Sequence, residues 1–329
     1  MRGIEGQTMN AVEQLAPSDL AQRLERLRDE ATELLAAGRS ANTKRANRSD
    51  WAHWVTWCEG YDLDHLPAAP TTVALYVTEL ARWARPATIT RRLSSISIAH
   101  QSAGYQSPTH DVAVRATMSG VRRVLGAAQV GKSPLLISDI RAMVACMPDD
   151  VAGLRDRALL ILGFAGGFRR SELVGLTMDC IVETSEGLVI TVRRSKTDQE
   201  GMGRQIGLPR GCAPLTCPVT AYKAWITAGR LPDGPIFRAI DRHGNVGAAP
   251  LSGESVSTVV KRAAAAAGLD PSLFSAHSLR SGFATTAARA GVGEEAIMRI
   301  TGHRSTATVR RYIRAGTVFE NNASGRLGL

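Results

Sequence analysis

Two segments place charged side chains where a helix would begin, in patterns that a packed core does not require. Arg169 and Glu172 are three residues apart and follow a glycine pair, so a loop would deliver the arginine to one face of a new helix. His277 and Arg280 are one helical turn apart, behind Ser275 as a candidate N-cap. A helix start that offers a histidine and an arginine suits the binding of an anion.

Lysine, histidine and tyrosine stand out in two further segments. Lys196 lies in a polar turn between two predicted strands. His303 follows Gly302 in a turn, Ser305 would cap the next helix, and Tyr312 lies on that helix. Taken singly, each of the four segments is also typical of an ordinary structural role: a surface ion pair, a solvated lysine, a core histidine or an aromatic ring packed inward.

The order of these residues along the chain is the more specific signal. An arginine, a lysine, a His-x-x-Arg pair, a Gly-His pair and a tyrosine nine residues after that histidine resemble the catalytic domain of the tyrosine recombinases, the phage integrase family, over about residues 136–316. The catalytic set that the resemblance implies is Arg169, Lys196, His277, Arg280, His303 and Tyr312, with Glu172 as an acidic residue that supports the site.

Two of these assignments have competitors close by. Arg170 adjoins Arg169 and would replace it if the alignment shifted by one residue. The pattern of glycine, hydrophobic residue and Arg-x-x-Glu-Leu favours Arg169. In the hairpin, Arg193 and Arg194 lie near Lys196 and are alternatives to it.

The chemistry that the resemblance implies suits these side chains. Arginine forks stay charged and match the non-bridging oxygens of a phosphodiester, where the transition state concentrates charge. A tyrosine hydroxyl has an ordinary pKa of about 10, so Tyr312 needs a base, which His277 can provide. Lys196 can protonate the leaving deoxyribose oxygen, and His303 can add a hydrogen bond. We expect no metal ion, no ATP and no other cofactor, because the arginines take the place of cations and a phosphotyrosine conserves the bond energy.

The expected function is therefore that of a site-specific DNA recombinase, or integrase, which cleaves and rejoins DNA through a 3′-phosphotyrosine intermediate. One alternative is a type IB topoisomerase or a hairpin telomere resolvase, and another is a DNA-binding protein of the same fold without catalysis. The two-domain layout and the short stretch after Tyr312 favour the recombinase over the first alternative. The complete set of catalytic residues argues against the second.

The elements that must position these residues are mostly helical. The predicted fold class is mainly α with a small β-hairpin or sheet, in which an all-helical core-binding unit precedes an α+β catalytic domain. Strand signals occur at 187–193 and 204–208, on either side of the turn that contains Lys196. Apolar periodicity predicts helices at 18–37, 41–59, 71–83, 87–103, 112–125, 138–147, 151–164, 218–228, 252–267, 275–289, 294–300 and 306–314. The predicted domains are a tail at 1–16, a core-binding domain at 17–126, a linker at 127–134 and a catalytic domain with its C-terminal tail at 135–329.

The charge balance favours a polyanionic partner. The chain has 329 residues, with 40 lysines and arginines against 30 aspartates and glutamates, which gives a net charge of +10. Basic residues recur in the predicted N-terminal helices. The predicted DNA contacts there are Lys44, Arg45, Arg48, Arg91, Arg92, Arg122 and Arg123.

The resemblance also implies partners and a location. It implies a double-stranded DNA site with inverted repeats and self-assembly into a tetramer on two such sites, with Val318, Phe319 and Leu327 as apolar candidates for contact with a neighbouring protomer. No apolar run approaches the length of about 18 residues that a membrane span needs, and no secretory signal is visible. Five scattered cysteines fit a reducing compartment. We therefore expect a cytoplasmic, nucleoid-associated protein of prokaryotic, plasmid or phage origin.

Overall fold

The computed structural model describes residues 17–38, 41–126, 131–193, 203–303, 305–316 and 327. The chain divides into two compact units, Met1–Gln129 and Val130–Leu329. Within the described ranges, no helix is long and apolar enough to cross a membrane.

The described part of the first unit is helical. Its helices are α1 (Pro17–Ala37), α2 (Ala41–Gly60), α3 (Pro70–Ala81), α4 (Pro86–Ser102) and α5 (Val112–Leu125), with a 3₁₀ turn at Pro108–His110. Pro70 and Pro86 each occupy the first position of their helix, where a missing N–H costs nothing. The Asp111 carboxylate caps α5 by accepting from the Ala113 N–H at 2.8 Å. The helices enclose a core that includes Trp54 and Tyr76, both fully buried.

The second unit combines helices with two small antiparallel sheets. Its helices are α6 (Ile137–Ala145), α7 (Val151–Ala165), α8 (Arg170–Val174), α9 (Pro218–Ala228), α10 (Gly253–Ala266), α11 (Ala276–Arg289), α12 (Glu294–Thr301) and α13 (Thr306–Gly316). Its strands are β1 (Ile181–Glu183), β2 (Gly187–Val192), β3 (Arg204–Pro209), β4 (Arg238–Ile240) and β5 (Val246–Pro250). The first three strands form one sheet in the order β1-β2-β3, and the last two form the other.

Helix α7 runs through the main core of this unit. Its apolar residues lie all round the helix, and ten of its fifteen residues are buried, so it packs against neighbours on every side. Helix α11 packs closely against it, and the main chain before α6 lies directly on α11. A Cβ at Gly282 would lie 1.8 Å from the carbonyl oxygen of Leu135, so only glycine fits there. This close packing holds α11, which supplies His277 and Arg280, against the core.

The predicted fold class is confirmed: the unit is helical with small antiparallel sheets, and β2 pairs with β3 as expected. The predicted helices all form, with ends that differ by no more than two residues. Strands β1, β4 and β5 were not predicted. Each has three to five residues, and such short runs show little alternation of apolar and polar side chains.

Candidate active site

A glycine loop after α7 delivers Arg169 to the start of α8. Gly167 has a φ of +54°, a conformation that favours glycine, and Phe168 is buried behind it. Arg169 is the N-cap residue of α8. Its main-chain N–H donates to Oε2 of Glu172 at 3.0 Å, and its Nη1 donates to Oε1 at 2.6 Å. The arginine is thus fixed at both its main chain and its side chain.

Glu172 is a buried carboxylate held between two arginines. Besides Arg169, it accepts from Arg204 of β3, through Nη2 to Oε2 at 2.8 Å and Nη1 to Oε1 at 3.3 Å. Burial raises the pKa of this carboxyl, but the hydrogen bonds and charges of Arg204 and Arg169 outweigh burial and hold the pKa below its usual range. Glu172 therefore stays ionised and orients both guanidinium groups.

Arg280 reaches the same place from α11. Its side chain is buried, and Nη1 donates to the Gly167 carbonyl at 2.7 Å. Its Nη2 is buried with no hydrogen-bond partner among the described residues. Burial and the nearby Arg169 charge lower the pKa of Arg280 to about 10, which still leaves it charged at neutral pH. A buried charged donor without a partner is costly in an empty site and favours the binding of an anion.

The hydroxyl of Tyr312 lies 2.8 Å from Nε2 of His277. The two residues come from α13 and α11, which pack together around a small apolar cluster that contains Ala284, Ala288, Ile297 and Val309. His277 is exposed at the mouth of the site, but partial desolvation of its ring lowers its pKa, and the charges of Arg280, Arg311 and Arg169 lower it further. His277 is therefore neutral at physiological pH and able to accept a proton from Tyr312.

His303 follows the end of α12, where Gly302 is left-handed with a φ of +64°. The Thr301 hydroxyl donates to the Ile297 carbonyl at 2.7 Å, so it accepts from Nδ1–H of His303 at 2.8 Å. Nε2 is then the unprotonated nitrogen of the neutral ring. Burial, followed by the charges of Arg280 and Arg169, lowers the pKa of His303 to about 3. Its ring centroid lies 6.0 Å from that of Tyr312.

The structure thus brings six of the seven predicted site residues together and leaves one outside the described residues. Those that converge are Arg169, Glu172, His277, Arg280, His303 and Tyr312. Lys196 and its neighbour Arg194 lie outside the described residues. Arg170 is exposed, and a Cβ on Gly253 would lie 3.5 Å from its side chain. Arg193 is exposed and pairs with Asp179 at 2.7 Å.

Sequence reasoning missed two parts of this site. Arg204 was assigned only as the first residue of a strand, although its guanidinium binds Glu172, 32 positions earlier in the chain. The carbonyl of Gly302 accepts from Nη2 of Arg169 at 3.2 Å. No local pattern marks either contact, because each joins segments that are distant in sequence.

Six of the seven predicted DNA contacts in the first unit are exposed. They are Lys44, Arg45, Arg48, Arg91, Arg122 and Arg123. Arg91 pairs with the buried carboxylate of Asp50. Arg92 differs, because only 12% of its side chain is exposed. Its Nη1 donates to the Tyr76 hydroxyl at 3.1 Å, and its guanidinium lies 5.0 Å from the Trp83 ring centroid.

Among the residues that the structure describes, no group of three or more His, Cys, Asp or Glu side chains could hold a metal ion. Val318 and Phe319 lie outside the described residues, and Leu327 is exposed.

Comparison with known proteins places the chain in a family. A sequence model of the phage integrase family matches residues 135–317, which is more than half of the chain. The chain belongs to the phage integrase family. This integrase is 40% identical to the integrase/recombinase xerD homolog of Selenomonas ruminantium over 307 residues, covering 92% of this chain and 90% of the relative. It is 26% identical to the recombinase cre of Escherichia phage P1, covering 79% of this chain and 80% of the relative. The integrase is a tyrosine-type site-specific recombinase.

Solved structures share its fold. The Tn1549 transposon integrase in complex with transposon right end DNA matches with a TM-score of 0.63 at 16% identity, covering 91% of this chain and 98% of that one. A lambda integrase dimer bound to a COC′ core site matches with a TM-score of 0.57 at 17% identity, covering 94% and 82%.

Proposed function

We propose that this integrase cleaves and rejoins DNA by attack of the Tyr312 hydroxyl on a backbone phosphodiester. The observation that carries the proposal is the 2.8 Å contact between the Tyr312 Oη and Nε2 of His277. A nucleophile within hydrogen-bonding distance of a neutral base is the arrangement that covalent catalysis needs. The DNA would remain attached through a 3′-phosphotyrosine.

Two arginines would bind the phosphate that Tyr312 attacks. The buried Nη2 of Arg280 lacks a partner among the described residues, and a non-bridging oxygen would satisfy it. Arg169 lies close enough to lower the pKa of Arg280 by its charge, so both guanidinium groups act on one small volume. The two guanidinium groups would stabilise the negative charge that develops there in the transition state.

In the cleavage step, one bond to phosphorus replaces another. The bond from Oη of Tyr312 to phosphorus forms, and the bond from phosphorus to the 5′-oxygen breaks. His277 accepts the tyrosine proton, and Lys196 donates a proton to the departing 5′-oxygen. Rejoining reverses these steps, with a 5′-hydroxyl of a second strand as the nucleophile. The bound phosphate is an anion and would raise the pKa of His303, so that a protonated Nε2 can then donate to a non-bridging oxygen.

The two units would divide the work. We assign residues 17–126 as a core-binding domain that contacts the DNA backbone through its exposed basic residues, and residues 135–329 as the catalytic domain with its C-terminal tail. We expect the substrate to be a duplex with inverted repeats, on which four copies assemble over two sites. The solved XerH recombinase with a TM-score of 0.58 was crystallised with a palindromic difH substrate, which supports a substrate with inverted repeats. The relatives come from bacteria and a phage, which supports action on DNA in a bacterial cytoplasm.

The test uses a nicked target site that traps the cleaved strand. The intact integrase should form a covalent protein–DNA adduct that survives denaturing electrophoresis, and peptide mapping should place the DNA on Tyr312. Tyr312→Phe should bind the site as the parent does and form no adduct. Tyr222→Phe is the matched control, because Tyr222 lies in the core with its hydroxyl near the sulfur of Met178.

The same assay separates the other members of this chemistry. An adduct on another residue would overturn the assignment of Tyr312. Absence of any adduct, with DNA binding intact, would identify a protein that binds DNA without cleaving it. Relaxation of a supercoiled plasmid without exchange between two sites would identify a topoisomerase.

A further inference from the structure

We propose that Arg204 is a positioning residue of this active site, which fixes the catalytic arginine Arg169 through Glu172. The inference rests on the function proposed above and deepens it. Arg204 begins β3, and its side chain is 17% exposed. It would touch neither the phosphate nor the nucleophile, so its effect on the reaction would pass through the groups it holds.

The guanidinium of Arg204 joins three elements at one point. Two of its nitrogens donate to the two oxygens of Glu172, at 2.8 and 3.3 Å, in a forked pair. Its Nε donates to the carbonyl of Ile300 in α12 at 3.2 Å. Strand β3, helix α8 and the end of α12 are therefore tied together by one side chain.

Gly302 makes this tie possible. A Cβ at Gly302 would lie 2.9 Å from Nη1 and 3.0 Å from Cζ of Arg204, so the guanidinium lies directly against the glycine backbone. The φ of +64° at the same residue also favours glycine. The Gly302 carbonyl in turn accepts from Nη2 of Arg169. Arg204 thus supports both of the acceptors that hold the Arg169 side chain, the Glu172 carboxylate and the Gly302 carbonyl.

Loss of Arg204 would leave a buried carboxylate with fewer partners. The charged groups that face Glu172 are Arg169 at the start of its own helix, Arg204 from β3 and, at longer range, Arg280 from α11. Arg169 would then be the main group that counteracts the effect of burial on the Glu172 carboxyl. The pKa of Glu172 would therefore rise. Once protonated, Glu172 would no longer hold Arg169 by a charged hydrogen bond. Cleavage should therefore become sensitive to acid in a range where the parent is not.

The experiment measures single-turnover adduct formation on the nicked site between pH 5.5 and 8.5. It compares the parent with Arg204→Ala and Arg204→Lys, each alone and combined with Glu172→Gln. Arg210→Ala is the matched control, because Arg210 follows the same strand but pairs with the partly exposed carboxylate of Glu183. Half-site binding and thermal unfolding are measured for every variant.

We expect Arg204→Ala to slow cleavage by about 10- to 100-fold, the size of effect that a misplaced catalytic group produces. Half-site binding should stay within about twofold of the parent, because the phosphate contacts of the first unit are untouched. The acid limb of the rate profile should move to higher pH. In the Glu172→Gln background, Arg204→Ala should add little further loss and no further pH shift, because the two residues act as one unit. Arg204→Lys should fold, retain the charge, lack the fork and fall between parent and Arg204→Ala.

Three results would overturn the inference. Cleavage at the parent rate by Arg204→Ala would do so. Slower cleavage with an unshifted acid limb would show that Arg204 has only a structural role. The same conclusion would follow if the rate losses of Arg204→Ala and Glu172→Gln were fully additive in the double variant. If Arg204→Ala does not fold, the same criteria apply to Arg204→Lys. Adduct formation on Tyr312 by the parent in the same assay keeps this outcome separate from a failure of the proposed function.

Discussion

Nη1 of Arg280 donates to the carbonyl oxygen of Gly167 at 2.7 Å, although the two residues are 113 positions apart in the chain. Gly167 lies in the loop that delivers Arg169, so this bond holds Arg280 against the backbone that carries Arg169. Each guanidinium thus has a main-chain carbonyl as an acceptor, Gly167 for Arg280 and Gly302 for Arg169. This suits a site that must match a tetrahedral phosphate.

Alanine substitution of the neighbouring residues Arg169 and Arg170 should have very different effects on the cleavage rate. Arg169→Ala should slow cleavage by about 10²–10³-fold, as removal of one oxyanion donor does. Arg170→Ala should slow it far less, because Arg170 is exposed and lies near Gly253. Rates of adduct formation on the nicked site measure both. The reverse ranking would show that the alignment is shifted by one residue.

Lys196 can be tested by changing the leaving group. If its ammonium protonates the departing 5′-oxygen, Lys196→Ala should slow cleavage of ordinary DNA by about 10²–10⁴-fold. A 5′-bridging sulfur leaves without a proton, so a 5′-phosphorothiolate site should restore Lys196→Ala to near the parent rate.

Arg169→Ala is the control for this experiment. The sulfur does not change the charge on the non-bridging oxygens, so the phosphorothiolate should not rescue that variant. Failure to rescue Lys196→Ala would move the general-acid role to another residue, with Arg193 and Arg194 as the first candidates to examine.

His303 should make the free protein less stable in mild acid. Its pKa is lowered to about 3 in the folded state, whereas an unfolded histidine takes up a proton near pH 6.5. Below about pH 6.5 the unfolded chain therefore binds more protons than the folded chain. The free energy of unfolding then decreases as the pH is lowered. His303→Gln should show a smaller drop in Tm between pH 7.5 and pH 5.0, measured without DNA.

The exposed His243 provides the control for this measurement. His243→Gln should keep the drop in Tm of the parent. An equal drop in the parent and His303→Gln would contradict the neutral state of His303 in the folded protein. The window between pH 6.5 and 5.0 lies above the range in which the lowered pKa of Glu172 begins to matter.

Arg91 should contribute to DNA affinity without contributing to sequence preference. The buried Asp50 holds its guanidinium, and about half of the side chain is exposed. Arg91→Ala should weaken half-site binding for every sequence and reduce the slope of log affinity against log salt by about 1. Arg82→Ala, which removes an exposed arginine of the same unit paired with Glu79, should leave that slope unchanged. A change in sequence preference would indicate a base contact instead.

The local parts of this structure could be predicted from sequence. Pro70 and Pro86 mark the first residues of α3 and α4, and the glycine pair before Arg169 indicates a loop followed by a helix. The order of the seven candidate residues along the chain predicts that they share one site, and the six that the structure describes do lie together.

The long-range parts could not be predicted. The fork between Arg204 and Glu172 and the bond from Arg280 to Gly167 depend on how β3, α8 and α11 pack, and no spacing in the sequence encodes that. The enclosure of Arg92 by Tyr76 and Trp83 is of the same kind, since an arginine on a basic helix gives no sign of which way it turns. The short strands β4 and β5 could not be predicted because they are mostly exposed and lack an apolar pattern.

The small apolar cluster that packs against α13 determines how easily this side of the candidate site opens. Arg169 and Arg280 stand on elements that pack into the main core. The helix that carries Tyr312 is instead anchored by the fully buried Val309, which packs against two alanines and Ile297. Local opening costs least where few apolar contacts are lost, so amide hydrogens of α13 should exchange with solvent before those of α7. We therefore expect Arg169 and Arg280 to stay in place when α13 opens and withdraws Tyr312.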